Sequence, residues 1–254
     1  MTVLRSFFTA LATFSRIPSP KSDFREDDLR YVMGFLPIVG IIIYLVIYLW
    51  VLCAGKIGFD PLLVGVVAAV VPILIVGGLH ADGFADVIDA ISSRADREKK
   101  KEILKDPHIG TFAVVGLIVY YLLFAVLSIS YFFNAADPLF LGAIFILSRG
   151  IVVPFAFKFP LMSENGFLAT VRAGASKTAS MLIALIIVLA CALYLSYVSY
   201  KMTFISLVAC VITDIVLAFR CRRHFGGING DCIGYMIQYS ELVMLAAVVV
   251  GMVI

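Results

Sequence analysis

The sequence predicts an all-α protein, a polytopic integral membrane bundle of helices. Hydrophobic residues make up 62% of the 254 residues and charged residues only 15%, whereas ordinary soluble domains are about half apolar. The apolar residues occur in runs of about 20, the length at which an α-helix crosses a hydrocarbon core of about 30 Å. We therefore expect a single membrane domain over residues 1–254.

Seven apolar runs are long enough to be spans, with six as the alternative count. They cover residues 33–53, 61–79, 111–133, 138–157, 179–198, 202–219 and 234–254. Before them, residues 1–30 contain an apolar stretch that is interrupted by Arg5 and Arg16 and followed by a Pro-Ser-Pro breaker. This pattern favours an N-terminal helix that lies on the membrane interface.

The lysines and arginines predict the orientation of the spans, because cytoplasmic loops near span ends are enriched in them. With the N-terminus inside, all of the 20 except Lys56, Lys201 and Arg149 fall in cytoplasmic segments. We therefore expect a cytoplasmic N-terminus. The two longest polar segments, residues 80–110 and 220–234, would then face the cytoplasm together.

The first polar segment contains three aspartates at helical spacing. Asp82, Asp86 and Asp89 are spaced i, i+4, i+7 and share one face of a helix. Stacked carboxylates next to hydrocarbon repel one another unless a cation neutralises them, and magnesium prefers oxygen ligands of this kind. The alternative is that these acids cap and solvate a helix end and pair with Arg94 and Arg97.

His80 precedes the aspartates and is a candidate general base. On an unbroken helix it lies on the side opposite to Asp82, so it joins their site only if Gly77, Gly78 or Gly83 bends the chain. The alternative is an ordinary histidine at the membrane interface.

The end of the same segment favours phosphate binding. Lys105 precedes a turn that leads through Gly110 and Thr111 into an apolar run, and the amides of a helix N-terminus can receive a phosphate. Helix capping explains Thr111 equally well.

The second polar segment joins basic residues to a glycine-rich turn. Arg222 and Arg223 supply cations, and the turn supplies exposed backbone amides, so together they suit phosphate. The turn glycines are Gly226, Gly227 and Gly230, and Asp231 follows them. A cytoplasmic anchor with a flexible turn would explain the arginines but not Asp231.

Four polar residues fall inside apolar runs, where an ionisable group usually has a partner or a task. They are Arg149, Asp214, Gln238 and Glu241. We assign functional roles to Arg149 and Glu241, whereas the sequence indicates no partner for Asp214.

These segments resemble the cobalamin synthase family, the adenosylcobinamide-GDP ribazoletransferases. Residues 80–86 look like its H-x-D-G-x-A-D signature, residues 105–111 like its basic-D-x-x-x-G-T element, and residues 226–234 like its G-G-x-x-G-D-x-x-G turn. Ser148-Arg149 and the stretches 14–18 and 35–40 also agree, so the resemblance covers nearly the whole chain in order. Gln238 stands where the family commonly has glutamate.

The resemblance implies a transferase of vitamin B12 biosynthesis that joins α-ribazole or its 5′-phosphate to adenosylcobinamide-GDP and releases GMP. It implies magnesium as the cofactor, with His80 as the base and phosphate charge balanced by Arg149, Arg222 or Arg223. The implied metal ligands are Asp82, Asp86, Asp89, Asp231 and Glu241.

The implied location is the cytoplasmic membrane of a prokaryote, with the active site facing the cytoplasm. The lipid bilayer and the two substrates are the expected partners, and nucleic acid is not. Assembly into a homo-oligomer and contact with other corrinoid-pathway enzymes stay open.

Two other classes also stay open. A CDP-alcohol phosphotransferase places spaced aspartates at a membrane helix end, but its signature continues D-G-x-x-A-R, whereas Asp82-Gly83 is followed by Phe-Ala-Asp. A transporter would line its pathway with the buried ionisable residues, although here the strongest polar clusters are predicted at one surface.

Overall fold

The computed structural model describes residues 2–20, 25–134 and 137–253. These residues form helices, with one isolated parallel bridge between Leu161 and Ile228. The α-helices are α1 (Thr2–Phe14), α2 (Glu26–Leu29), α3 (Leu36–Ile57), α4 (Pro61–Val76), α5 (Leu79–Ser92), α6 (Arg97–Ile103), α7 (Thr111–Asn134), α8 (Leu139–Ile151), α9 (Val153–Lys158), α10 (Phe167–Gly174), α11 (Lys177–Phe225) and α12 (Gly230–Val253), and a 3-10 helix (Val32–Phe35) precedes α3.

The described residues confirm the all-helical membrane bundle. Five helical stretches are long and apolar enough to cross a membrane, and the bent pair of α4 and α5 raises the number to six. The five are Asp27–Ile57, Thr111–Asn134, Leu139–Lys158, Lys177–Phe225 and Gly230–Val253. Seven spans and a cytoplasmic N-terminus remain predictions.

The fifth and sixth apolar runs form the single element α11, which is 49 residues long and broken at Ser199 (φ −156°, ψ 103°). A straight helix of this length would measure about 74 Å, more than twice the hydrocarbon core. Ser180, near its start, packs against Gly34, while Gly230, just after its end, shares a cavity with Met33. Both ends therefore lie at one face of the bundle, and α11 reverses direction at Ser199.

The centre of the bundle is α8, which packs against α3, α11 and α12. In the most apolar part of Leu139–Lys158, which comprises α8 and α9, 83% of the residues are buried. The corresponding share is 22% for α7 and for α11. The outer helices carry exposed apolar side chains such as Leu122 and Leu193. A lipid environment accommodates these side chains, so α8 forms the protein core and the other helices face the bilayer.

Glycines allow the spanning helices to approach closely. A Cβ atom at Gly40 of α3 would lie 2.7 Å from the backbone nitrogen of Ile146 in α8, and one at Gly65 of α4 would lie 2.6 Å from Cα of Ile129 in α7. Small residues at helix contacts bring backbones together, which is a common source of stability inside membranes.

Two consecutive glycines end α4 and redirect the chain. Gly77 and Gly78 have φ values of 73° and 88°, in the left-handed region that favours glycine, and the axes of α4 and α5 differ by 94°. The side chain of Arg16 fills the space that a Cβ at Gly77 would need, and its backbone N–H donates to the Ile75 carbonyl at 2.8 Å. As a result, α5 runs across the ends of α7 and α12 instead of continuing the span.

The contact between α3 and α8 yields a stability prediction. Replacing Gly40 with leucine forces the two backbones apart, and overpacking of this kind costs about 1–3 kcal/mol, so the apparent Tm of the purified protein in detergent should fall by several degrees. Gly55 lies on the same helix with nothing within 4 Å of a Cβ, so Gly55→Leu is the control. Equal melting temperatures for the two variants would contradict the close contact.

Candidate active site at the crossing of α5 and α12

The crossing of α5 and α12 depends on one glycine from each helix. A Cβ atom at Gly83 would lie 2.7 Å from Cα of Asp231, and one at Gly234 would lie 3.1 Å from the carbonyl oxygen of His80. Real side-chain carbons almost never sit as close to another backbone as at Gly83, whereas a side chain at Gly234 would require the neighbouring backbone to shift by a few tenths of an ångström. This contact brings the first turn of α12 against the aspartates of α5.

Four aspartates meet at this crossing. Partial burial, together with repulsion from the carboxylates of Asp82, Asp231 and Asp89, raises the pKa of Asp86 to about 7. The sequence predicted that three of them share a helix face, and the fold adds Asp231 from the second polar segment. The two predicted polar segments therefore form one site.

The chemistry of this donor set suits a hard divalent cation. Across residues 2–20, 25–134 and 137–253, no three His, Cys, Asp or Glu side chains converge as a ready-made metal cluster. Even so, clustered carboxylates supply the oxygen ligands that magnesium prefers, and a cation would relieve the repulsion on Asp86. Magnesium remains a prediction.

Asp89 has a second task at the start of α7. Its Oδ1 accepts a hydrogen bond from the backbone N–H of Ala113 at 3.4 Å, and a Cβ at Gly110 would collide with its carboxylate. A carboxylate therefore lies beside this helix N-terminus and would repel an anion there, and the phosphate role of Gly110 and Thr111 remains a prediction.

His80 is buried, while Asp82 is exposed. The bend at Gly77 and Gly78 precedes both residues, so it does not turn His80 toward Asp82. Burial, and then the charge of Arg149, lower the pKa of His80, and its Nε2 has no hydrogen-bond partner among the residues that the structure describes. The side chain is therefore a neutral imidazole with an unused nitrogen.

Arg149 and Glu241 form an ion pair inside the bundle. Nη1 of Arg149 donates to Oε1 of Glu241 at 2.5 Å, and the Ser148 hydroxyl donates to the same oxygen at 3.1 Å. The two residues are 1% and 3% exposed. Each charge is therefore neutralised by the other, and the metal role of Glu241 and the phosphate role of Arg149 remain predictions.

Two other polar residues of the apolar runs also have defined surroundings. Asp214 of α11 accepts a hydrogen bond from the Ser240 hydroxyl of α12 at 2.6 Å, a partner that the sequence did not indicate. Gln238 is buried and lines a small cavity with His80, Arg149 and Glu241. Both residues therefore belong to the packing around α12 rather than to the group of aspartates.

The basic residues lie at the surface, next to α6. Arg222 and Arg223 are exposed, and the carbonyl of Arg223 accepts a hydrogen bond from Nη2 of Arg97 at 3.2 Å. Nζ of Lys100 donates to Nδ1 of His224 at 3.2 Å. These bonds dock α6 on the end of α11, beside the glycine-rich turn, and the phosphate roles of the two arginines remain predictions.

The glycine-rich turn is held by a partner that the sequence analysis missed. The backbone N–H of Ile228 donates to Pro160 at 2.9 Å, and that of Met162 donates back to Ile228 at 2.8 Å. A Cβ at Gly227 would lie 2.5 Å from the Pro160 carbonyl oxygen. The second glycine of the turn is therefore required by this backbone pairing, and the phosphate role of the turn remains a prediction.

Asn229 fixes the start of α12. Its side-chain oxygen accepts a hydrogen bond from the backbone N–H of Cys232 at 2.9 Å, as an N-cap residue does, and its Nδ2 donates to Oδ2 of Asp231 at 2.6 Å. The Asn-x-x spacing before a predicted span is a capping signal that the sequence carried. It orients the aspartate that α12 brings to the site.

A comparison with protein families matches residues 6–249 to the model described as cobalamin-5-phosphate synthase. The chain belongs to this family. Among its relatives is the adenosylcobinamide-GDP ribazoletransferase of Lachnoclostridium phytofermentans, 33% identical over 98% of this chain and 94% of that protein. The protein of the same name from Clostridium botulinum strain Alaska E43 is 30% identical over 96% of each chain. No solved structure matches.

Family membership makes the chain a transferase of cobalamin nucleotide-loop assembly. The resemblance drawn from the motifs is confirmed by this match, which extends over nearly the whole chain. The CDP-alcohol phosphotransferase and the transporter are therefore set aside.

The buried ion pair yields a prediction about folding. Arg149→Met leaves the Glu241 carboxylate buried without its cation, which typically costs about 3–5 kcal/mol, so the apparent Tm in detergent should fall sharply. The double variant Arg149→Met, Glu241→Met should regain much of the loss because no charge is left unpaired. Lys99→Met, which removes an exposed pair with Glu102, is the control and should melt like the wild type. A double variant no more stable than the single one would argue against the pairing.

Proposed function

We propose that the site at the α5–α12 crossing joins α-ribazole or its 5′-phosphate to adenosylcobinamide-GDP and releases GMP. A ribose hydroxyl of the acceptor attacks the phosphate attached to the aminopropanol arm. The bond from that phosphate to the oxygen of GMP breaks, GMP leaves with that oxygen, and the hydroxyl proton passes to a base. The names of the relatives support the substrates, and the meeting of four aspartates supports the place.

The aspartates would hold magnesium. Asp82, which is exposed, and Asp86, which is half-buried, would be the principal ligands, and Asp231 approaches from α12. Asp89 belongs to the same group of aspartates and also caps the N-terminus of α7. When bound, magnesium would offset the charge of the pyrophosphate and stabilise the leaving GMP.

His80 is the base in this proposal. Its pKa is lowered by burial, so the imidazole is neutral and can accept a proton near neutral pH. Its Nε2 has no hydrogen-bond partner in the described part of the chain, and the residue lines a cavity together with Asp231. A hydroxyl group bound in that cavity would lie beside both the base and one of the aspartates.

The reaction would take place at the cytoplasmic face of the prokaryotic membrane. The distribution of lysines and arginines supports this orientation, and the fold gathers the basic segments of α6 and of the end of α11 at the same face as the aspartates. Exposed arginines at this face, Arg222 and Arg223, would attract the anionic substrates.

The first test replaces a principal ligand. Asp82→Asn keeps the size of the side chain but removes the charge, so GMP release from adenosylcobinamide-GDP in liposomes should fall by about 10²-fold or more, as for other removed metal ligands or their supports. Asp60→Asn is the matched control, because Asp60 caps α4 and asparagine caps equally well. Near-normal turnover of Asp82→Asn at saturating magnesium would refute the assignment.

The second test uses the pH dependence of magnesium binding. A proton on Asp86 competes with the metal, and the pKa of this group is about 7, so affinity should rise with pH up to about 7 and then level off. Calorimetric titration of the substrate-free protein measures this directly. In Asp86→Asn the rise should disappear along with most of the affinity, whereas a pH-independent affinity in the wild type would contradict the arrangement.

A further inference from the structure

A cavity of about 380 Å³ opens beside the aspartates, within the range of about 300–1,000 Å³ that is typical of small-molecule sites. It lies between the start of α3, the helix α10 and the glycine-rich turn. Its walls are mostly apolar, with Leu36, Met162, Ala169 and Ile233 among the lining residues. Its polar lining includes His80, Asp231 and Lys105.

Long-range backbone contacts build this cavity. The bridge between Leu161 and Ile228 ties the loop before α10 to the glycine-rich turn, and Gly227 permits that contact because a side chain there would strike Pro160. The loop therefore forms a wall opposite α3, and the cavity keeps a defined shape without a ligand. The group of aspartates does not depend on these contacts, because α5 and α12 bring the aspartates together without the loop.

The polar end of the cavity carries an unsatisfied group. His80 is 6% exposed, and its Nε2 has no hydrogen-bond partner within residues 2–20, 25–134 and 137–253, which is unusual for a buried polar atom. Asp231, on the same wall, belongs to the group of aspartates. A ligand that presents a hydroxyl group here would form a hydrogen bond with Nε2 of His80. The same hydroxyl group would also lie beside the group of aspartates.

We infer that this cavity binds the acceptor nucleoside, with its flat aromatic base among the apolar side chains and its ribose hydroxyl directed toward His80 and Asp231. The inference rests on the proposed function. A corrinoid with its peripheral side chains is too large to be enclosed in this volume, so the corrinoid substrate must approach the aspartates from outside the cavity. The two substrates therefore bind through different surfaces.

The test fills the cavity. Ala169→Phe places a ring inside it, whereas Ala173→Phe introduces the same ring on the same helix at an exposed position that does not line the cavity. For Ala169→Phe we expect the KM for α-ribazole to rise about tenfold or more, the scale at which apolar subsites discriminate, with an unchanged KM for adenosylcobinamide-GDP. Ala173→Phe should leave both constants unchanged.

A second variant covers the case in which Ala169→Phe does not fold. Met162→Ala removes an apolar wall from a partly exposed loop, and it should also raise the KM for α-ribazole alone. An unchanged KM for α-ribazole in every folded variant, or an equal rise for both substrates, would overturn the inference. Absence of GMP release by the wild type with both substrates and magnesium would instead refute the proposed function, so the two failures are distinguishable.

Discussion

The close crossing of α5 and α12 is the contact on which the site depends. Gly83 and Gly234 remove the side chains that would hold the two helices apart, and only at this separation does Asp231 join the aspartates of α5. A larger residue at either glycine would separate the two polar segments. The close backbone contact therefore packs the two helices together and also places Asp231 beside the aspartates of α5.

The direction of α5 is the condition for that crossing. The paired left-handed glycines, Gly77 and Gly78, turn the chain by about a right angle, and Arg16 from the N-terminal segment packs over the first of them. The N-terminal residues therefore contribute to the site indirectly, by holding the bend. This explains why the interfacial segment is bonded to the end of α4 and does not simply lie on the lipid.

Local patterns in the sequence predicted the features that depend on spacing. The shared face of Asp82, Asp86 and Asp89 follows from helical periodicity, and the glycine pair allowed for a bend. The pairing of Arg149 with Glu241 and the capping of α7 by Asp89 join residues far apart in the chain, so periodicity could not predict them. Sequence reasoning therefore missed that Arg149 is the neighbour of Glu241 and that the Asp89 carboxylate is the neighbour of Gly110.

The fold separates two kinds of charge. The pair of Arg149 and Glu241 is buried and internally neutral, whereas the four aspartates are exposed or half-buried and form no salt bridge with the residues that the structure describes. Clustered carboxylates of this kind are costly, and they persist in folded proteins when a ligand offsets their charge. The account therefore assigns the cation to the aspartates and the structural role to the ion pair.

The most direct measurement is the binding of Mn²⁺, as a paramagnetic substitute for magnesium, to the purified substrate-free protein. Electron paramagnetic resonance reports the ion because its sharp aqueous signal is lost on binding. The account predicts that the wild type and the folded double variant Arg149→Met, Glu241→Met bind the ion, and that Asp86→Asn and Asp231→Asn bind it much more weakly. Equal binding by the wild type and both aspartate variants would contradict the claim that these carboxylates hold a metal.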